Sequence, residues 1–176
     1  MKRFLVVVDM QKDFVDGSLG TAEAQAIVPT VAEKIRGFDG TVFATLDTHG
    51  ANYLETSEGR HLPVAHCIKG TPGWQLNADV AAALEGKHAV VLEKPTFGSL
   101  ELVERIRQAA GGADFSVELI GLCTDICVVS NALLLKTNFY EQTVRVDAAC
   151  CAGVTPETHR AALTTMQMCQ IEVENA

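Results

Sequence analysis

The sequence predicts a three-layer α/β/α domain with a mainly parallel sheet, and three observations lead to this prediction. Short runs rich in β-branched residues alternate with helical patterns, which is typical of right-handed βαβ units. The first run, FLVVV at residues 4–8, is continuously apolar, as expected of a strand covered by helices on both faces. The 176 residues have the size of one domain, so we expect residues 1–176 to form a single unit.

Six segments are strand candidates, and helices are expected between them. The candidate strands are residues 4–8, 41–45, 89–92, 117–121, 143–146 and 171–173. Pro29 fits the first turn of a helix that ends at Arg36. Ser99 and Thr155 fit as N-caps of two later helices, and Gly111 fits the end of the first of these two.

Composition and charge narrow the function classes. The net charge of −8 and the scattered basic residues argue against nucleic acid, because phosphate binding depends on clustered lysine and arginine. The apolar stretch at residues 4–8 is too short for a signal peptide, and no window approaches the ~20 apolar residues of a membrane helix. The six cysteines lack the paired spacing of a zinc ribbon. We therefore expect a cytoplasmic, reduced protein without a nucleic-acid or membrane partner.

A long polar segment, residues 47–76, interrupts the alternation of strands and helices. Loops of this length in compact domains are usually functional, and sites in open parallel sheets lie beyond the carboxyl ends of the strands. Five polar or reactive residues lie at or just after predicted strand ends: Asp9, Asp47, Lys94, Cys123 and Cys127. These residues are the first candidates for a site.

Cys127 follows the strand candidate at residues 117–121. Thr124 fits the N-cap of the next helix, which would place Cys127 in the first helical turn. Unpaired N–H groups and the helix dipole favour a thiolate there. Free cysteine is also among the most buried residue types, so from spacing alone a structural role for Cys123 and Cys127 stays open.

Asp9 and Lys94 add to the case for chemistry. A carboxylate that follows a buried strand is costly to desolvate unless something pairs with it. Taken singly, Asp9 also fits a surface carboxylate, and Lys94 also fits an ordinary solvated lysine. Together, an acid, a lysine and a cysteine at three strand ends supply a base, a cation and a nucleophile.

Three segments, VVVDMQKDF, EKPTFGS and GLCTDICVVSNA, carry a resemblance to a known family. Their order and spacing resemble the signature segments of the isochorismatase-like cysteine hydrolases, which include nicotinamidases and N-carbamoylsarcosine amidase. The resemblance runs from about Phe4 to the last helix. It implies a six-stranded parallel sheet with helices on both faces, and a catalytic triad of Asp9, Lys94 and Cys127. It also implies a homo-oligomer.

The resemblance implies a mechanism as well. Asp9 accepts the thiol proton, Lys94 stabilises the thiolate, and Cys127 attacks an amide carbonyl to form a thioester while ammonia leaves. The turn GLCTDIC matches the family's oxyanion loop, with a cis peptide between Leu122 and Cys123. The backbone N–H groups of Cys123 and Cys127 would hold the oxyanion. Family members that cleave the vinyl ether of isochorismate lack the cysteine, so its presence favours C–N hydrolysis.

The DTH motif at residues 47–49 leads to a metal hypothesis. In extended backbone Asp47 and His49 face one side, and His66 would be a third ligand. Mixed imidazole and carboxylate ligands suit Zn²⁺ or Fe²⁺. From the residues alone, a hydrogen-bonded surface pair is the alternative. The resemblance to nicotinamidases implies a divalent metal, Zn, Fe or Mn, at these three positions.

The fourth metal ligand also depends on the resemblance. Nicotinamidases often supply a histidine or glutamate between the two histidine motifs. Here Glu58 or Glu55 would serve, whereas His61 is a poorer match. We place Glu58 in the predicted ligand set with Asp47 and keep Glu55 as the alternative.

Two positions bear on the expected substrate. Phe14 matches the aromatic residue that packs on a nicotinamide-like ring, and it also fits an ordinary core phenylalanine. Pro63 stands where nicotinamidases usually have an aromatic side chain, so the expected ring sandwich lacks one side. Trp74 is expected to pack the long loop, and His88 and His159 are interpreted as polar surface residues.

These observations predict a cysteine amidohydrolase that acts on a small amide, nicotinamide or a related compound, with a divalent metal. Two alternatives remain. One keeps the triad without a functional metal, as in the carbamoylsarcosine amidase type. The other is a non-catalytic thiol sensor on the same fold, in which Cys127 is oxidised reversibly.

Overall fold

Six parallel strands form one sheet in the order β3-β2-β1-β4-β5-β6. The computed structural model describes residues 1–176. The strands are β1 Lys2–Val8, β2 Thr41–Asp47, β3 Val90–Lys94, β4 Phe115–Leu122, β5 Thr143–Ala152 and β6 Glu172–Glu174. Every predicted strand is present, and the predicted fold class is confirmed. β5 continues well past the predicted end because its alanine- and cysteine-rich second half pairs with β4 beyond a register shift.

The chain forms seven α-helices, most of which pack on the two faces of the sheet. They are α1 Lys12–Val15, α2 Ala22–Gly37, α3 Ser57–His61, α4 Ala78–Glu85, α5 Leu100–Ala110, α6 Val129–Asn138 and α7 Pro156–Met168. One buried apolar cluster joins α2 and α4 to the sheet, and a second joins α5, α6 and α7 to the opposite face. No helix has the length and apolar character needed to cross a bilayer.

Helix starts agree with the sequence at two of four predicted positions, Ser99 and Thr155. Ser99 and Thr155 each accept a hydrogen bond from the first turn of α5 and α7, as expected of N-caps. The predicted start at Pro29 is wrong, because Thr21 caps α2 and the proline lies inside the helix. A proline is tolerated there because Pro29 and Gln25, the residue four positions earlier whose carbonyl a proline cannot pair with, are both exposed.

The carboxyl ends of β1 and β4 lie side by side at the centre of the sheet. From β1 the chain continues outward through β2 to β3 and then returns to the centre at β4. The connections that follow β1 and β4 therefore run toward opposite edges of the sheet. Crevices at such switch points are the usual binding sites of open α/β sheets. Gly121 permits the close approach, since its φ is +114° and a Cβ there would collide with the carbonyl oxygen of Val8.

Candidate active site and metal centre

Four side chains from four strand ends meet at this edge of the sheet. Asp9 follows β1, Asp47 and Lys94 are the last residues of β2 and β3, and Cys127 lies beyond β4. Lys94 Nζ lies 2.7 Å from Asp9 Oδ2 and 3.4 Å from Asp47 Oδ1. It also lies 3.4 Å from Cys127 Sγ. The structure therefore brings Asp9, Lys94 and Cys127 together and adds Asp47 as a further neighbour.

Asp9 is fully buried and has left-handed backbone geometry, with a φ of 47°. Non-glycine residues adopt this geometry rarely, and often at functional sites. Thr45 Oγ1 donates a 2.7 Å hydrogen bond to Oδ1 and fixes the carboxylate beside Lys94. Burial raises the pKa of Asp9, and the Lys94 ammonium opposes this effect without cancelling it. A carboxyl group with a raised pKa suits a general base near neutral pH.

Lys94 keeps its charge although only 1% of its surface is exposed. Burial by itself would lower the pKa of Lys94, but the carboxylates of Asp9 and Asp47 raise it above its ordinary value. Its ammonium group also donates a 3.0 Å hydrogen bond to the carbonyl of Thr96. A permanently charged, buried ammonium group is therefore held between the acid and the thiol.

Cys127 lies in a single turn of π-helix, Thr124–Val128, between β4 and α6. The Val128 N–H donates to the carbonyl of Cys123, five residues back, at 3.0 Å. The predicted N-cap role of Thr124 is wrong, since Cys123 occupies the capping position. Thr124 is fully buried against α7, and its hydroxyl is hydrogen-bonded to His159 Nδ1 at 2.8 Å.

The Cys127 thiol is buried, and its pKa lies well above the ordinary value because burial and the Asp9 carboxylate outweigh the Lys94 charge. The expectation that the first helical turn favours a thiolate is therefore wrong for the resting site. Burial also raises the pKa of Cys123, to about 12. The neighbours distinguish the two thiols, because Lys94 donates to Cys127 and not to Cys123.

The peptide bond between Leu122 and Cys123 is cis, at the position expected of the oxyanion loop. Both residues line the same cavity as Cys127. The loop that carries Cys123 therefore lies at the cavity wall beside the thiol.

A second group of side chains, the candidate metal-ligand group of Asp47, His49, Glu58 and His66, lies beside Lys94. One ligand atom from each of Asp47, His49, Glu58 and His66 lies within 4.8 Å of the other three. His49 Nε2 is 2.9 Å from Asp47 Oδ2, and Glu58 Oε1 is 3.7 Å from Nε2 of both histidines. Two imidazole nitrogens and two carboxylate oxygens suit a divalent ion such as Zn²⁺ or Fe²⁺. Glu55 is exposed and lies outside the group.

Asp47 belongs to both groups. Its Oδ2 faces His49 and His66, and its Oδ1 faces Lys94 Nζ. Burial alone would raise the pKa of Asp47, but hydrogen bonds with the two histidines and the charge of Lys94 hold it well below its usual range. The metal-ligand group and the lysine are therefore contiguous through one ionised carboxylate.

The two histidines are held by contacts that the sequence did not reveal. The buried ring of Tyr53 packs 4.8 Å from the His49 ring and 4.9 Å from the His66 ring. The His49 N–H donates to the carbonyl of Cys67 at 3.0 Å, which joins the two histidine segments. His66 Nδ1 is hydrogen-bonded to the carbonyl of Val64 at 2.8 Å, so its Nε2 faces the group.

Gln11 and Asn131 also position the site and were not predicted. Gln11 Nε2 donates to the carbonyl of Asp47, and its Oε1 accepts from the Asp47 N–H, both at 2.8 Å. Asn131 Nδ2 donates to the carbonyls of Cys127 and Phe97 at 2.8 and 3.0 Å. The spacing of four residues from Cys127 was a signal for Asn131, because such residues share a helix face. No local pattern marks Gln11.

A cavity of about 650 Å³ opens over Cys127. Phe14 is buried, lines this cavity and lies 5.4 Å from the His66 ring. It is therefore both part of the apolar core and part of the cavity wall. Pro63 is exposed and does not line the cavity. Trp74 packs the long loop as expected, and its Nε1 donates to Thr48 Oγ1 at 2.9 Å. The expectation that His159 is a surface residue is wrong, since it is half-buried against Thr124.

The chain is similar in sequence and in fold to proteins described as nicotinamidases or pyrazinamidases. The chain is 30% identical to the nicotinamidase/pyrazinamidase of Mycobacterium tuberculosis, and the alignment covers 97% of each chain. The pyrazinamidase/nicotinamidase structure from Streptococcus mutans UA159 has a TM-score of 0.85 and 26% identity and covers 98% of this chain and 99% of its own. The pyrazinamidase of Pyrococcus horikoshii in complex with zinc has a TM-score of 0.79 and 28% identity over 98% of both chains.

The family profile described as the isochorismatase domain matches residues 3–176, nearly the whole chain. The match includes the three segments that carry Asp9, Lys94 and Cys127. The similarity of sequence and the similarity of fold agree over the same residues. The chain therefore belongs to the isochorismatase family.

Proposed function

We propose that the protein hydrolyses the C–N bond of a small amide, nicotinamide or a related compound, through a thioester on Cys127, and releases ammonia. The family and its nicotinamidase/pyrazinamidase relatives make the chain a hydrolase of amide C–N bonds. The contact that carries the detailed proposal is the one made by Lys94, whose Nζ reaches Asp9 at 2.7 Å and Cys127 Sγ at 3.4 Å.

The first step is proton transfer from the thiol. Burial raises the pKa of Cys127 and that of Asp9, so the thiol is a weaker acid and the Asp9 carboxylate a stronger base than in water. Asp9 takes the proton as sulfur attacks the amide carbon, and the Lys94 ammonium stabilises the negative charge that develops on sulfur. Because Asp9 returns the proton later in the cycle, no external base is required.

The attack produces a tetrahedral intermediate with a negatively charged oxygen. The backbone N–H groups of Cys123 and Cys127, two residues that line the cavity, would donate to this oxygen. Losing one such donor typically costs ~10²–10³ in rate. Asp9 then protonates the leaving nitrogen, the C–N bond breaks, and ammonia departs.

Water completes the cycle. Asp9, now a carboxylate again, removes a proton from a water molecule that attacks the thioester carbonyl. The C–S bond breaks, the carboxylic acid product leaves, and Cys127 recovers its proton. The overall reaction consumes one amide and one water and yields one carboxylic acid and one ammonia.

Asp47, His49, Glu58 and His66 would hold a divalent metal ion, for which zinc is the first candidate. When bound, the ion supplies a Lewis acid beside the cavity that orients a polar atom of the substrate. The chain's own contribution is to keep this group rigid, through Tyr53 and Gln11, and to connect it to Lys94.

The test is ammonia release from nicotinamide, pyrazinamide and other primary amides by zinc-loaded enzyme. Cys127→Ala is expected to abolish release, while Cys169→Ala, which removes an exposed cysteine that does not line the cavity, is expected to leave it unchanged. Ammonia release that survives Cys127→Ala would contradict the thioester mechanism. Thiol alkylation of Cys127 without turnover on any amide would favour the sensor alternative, and full activity in metal-free protein would favour the metal-independent amidase.

A further inference from the structure

We infer that the preferred substrate is an uncharged primary amide whose acyl part carries an apolar group larger than one aromatic ring. This inference rests on the proposed function and concerns the far wall of the same cavity. Three rim residues, Leu62, Phe97 and Val154, carry it.

The cavity is larger than a single-ring amide requires. Its volume of about 650 Å³ lies in the middle of the ~300–1,000 Å³ typical of pockets for drug-sized ligands. Phe14 forms one side, near the metal-ligand group, and Ile126 continues the wall beyond Cys127. Farther out, the rim residues Leu62, Phe97 and Val154 extend an apolar surface that a single ring seated at Phe14 would not fill.

The rim residues are exposed and apolar, yet their backbones are fixed. Leu62, Phe97 and Val154 are 37, 42 and 50% exposed. Tyr53 donates to the carbonyl of Leu62 at 2.9 Å, and Asn131 donates to the carbonyl of Phe97 at 3.0 Å.

The Val154 backbone is fixed in the same way, because its N–H donates to the Asp125 carboxylate at 3.1 Å. Each rim residue is therefore held by a polar side chain from another segment. A wall fixed before binding, rather than a mobile loop, is what apolar recognition favours, because less ordering is required when the ligand arrives.

Charge excludes the main alternative, an amide that carries a carboxylate. No lysine or arginine lines the cavity. The nearest lysine, Lys94, is already in contact with Asp9 and Asp47. Asp47 and Glu58, which line the wall, would balance the charge of a divalent ion held by the metal-ligand group. A carboxylate at the apolar rim would lose its hydration without a cationic partner there, which is unfavourable.

The experiment compares three primary amides with wild-type, zinc-loaded enzyme: nicotinamide, the two-ring quinoline-3-carboxamide, and the carboxylated 5-carbamoylpyridine-3-carboxylate. We expect kcat/KM to be about tenfold higher or more for the two-ring amide than for nicotinamide, mainly through a lower KM. We expect a loss of similar size for the carboxylated amide.

A charge placed at the rim sharpens the test. Val154→Lys is expected to lower kcat/KM for the two-ring amide and to raise it for the carboxylated amide. Met168→Lys adds the same charge at an exposed position on α7 that does not line the cavity, and it is expected to change neither value.

The outcomes separate this inference from the proposed function. If nicotinamide or the carboxylated amide is the best substrate while Cys127→Ala still abolishes release, the inference is overturned and the amidase assignment stands. If none of the amides releases ammonia, both are overturned. A preference for the two-ring amide that Val154→Lys reverses, and Met168→Lys does not, supports the inference.

Discussion

Two lysines in this protein each join two carboxylates, and they differ in what surrounds them. Lys94 contacts Asp9 and Asp47 at the carboxyl edge of the sheet. Lys34, on α2, contacts two carboxylates farther back on the sheet, Glu118 of β4 at 2.5 Å and Asp147 of β5 at 2.8 Å. The ionic chemistry of the two clusters is nearly the same, so the ion pairs alone do not make a site.

A cysteine accompanies each cluster as well. Cys150 is buried near Asp147, and burial and that carboxylate raise its pKa to about 12. The Lys94 cluster differs in two ways: its lysine donates directly to a thiol, and that thiol lines a cavity. None of Lys34, Asp147 or Cys150 lines that cavity. Both clusters contain an acid, a lysine and a thiol, so access to a cavity is what distinguishes the candidate catalytic cluster from the Lys34 cluster.

Removing each lysine gives the largest expected contrast. Lys94→Met is expected to lower kcat by about 10³, because the thiolate loses its stabilising charge. Lys34→Met is expected to leave kcat/KM within about threefold, since the two sites share no partner. Ammonia release and circular dichroism on both variants check this. A similar loss of activity in folded Lys34→Met would show that the two clusters are coupled.

The second-largest expected effect concerns zinc binding by the metal-ligand group, which has no counterpart beside Lys34. Glu58→Gln is expected to weaken zinc binding about 100-fold, because it removes a charged donor from the ligand set. Glu55→Gln is the matched control, since that side chain is exposed and outside the group, and it is expected to bind zinc as wild type does. Zinc titration with a competing chelator measures both affinities. The opposite order would make Glu55 the ligand.

Changes to the Lys34 cluster are expected to alter the free energy of unfolding and to leave the catalytic activity unchanged. Burial would raise the pKa of Asp147, but hydrogen bonds from Lys34 and Asn175 lower it below its ordinary value of 3.8. A folded-state pKa below the unfolded value stabilises the protein above that pH, and this stabilisation is lost as pH falls through the folded pKa.

We therefore expect Asp147→Asn to reduce the free energy of unfolding by about 2 kcal/mol at neutral pH. Urea unfolding at neutral pH and below the ordinary pKa of 3.8 measures the difference, which should shrink at the lower pH. A difference that grows on acidification would contradict the ion-pair explanation.

The smallest expected effect concerns the turn that carries Cys127. His159→Ala removes the 2.8 Å hydrogen bond to Thr124 and is expected to lower kcat about three- to tenfold with little change in KM. Thr124→Val should have a similar effect, and the double variant should be no worse than either, because both remove one contact. Steady-state kinetics with a fixed amide check this. Additive losses would show that the two residues act separately.

The features that were predicted correctly depend on residues close together in sequence, and those predicted wrongly depend on residues far apart in sequence. Strand positions and the caps at Ser99 and Thr155 were predicted because apolar runs and capping side chains act within a few residues. Thr124 was placed wrongly because its hydroxyl bonds to His159, 35 residues away, instead of to the adjacent turn. Pro29 was placed wrongly because an earlier cap and a continuous apolar face outweigh one proline.

By itself, the sequence determined the fold class, the family and the identity of the candidate acid, lysine and cysteine, since each is a property of a local segment and of the order of segments. Only the tertiary structure decided which strands lie side by side, that Glu58 rather than Glu55 joins the histidines, and that Lys94 connects the metal-ligand group to the thiol. These features depend on contacts between residues far apart in sequence. Such contacts are fixed by strand register and the packing of the long loop, which no local pattern encodes.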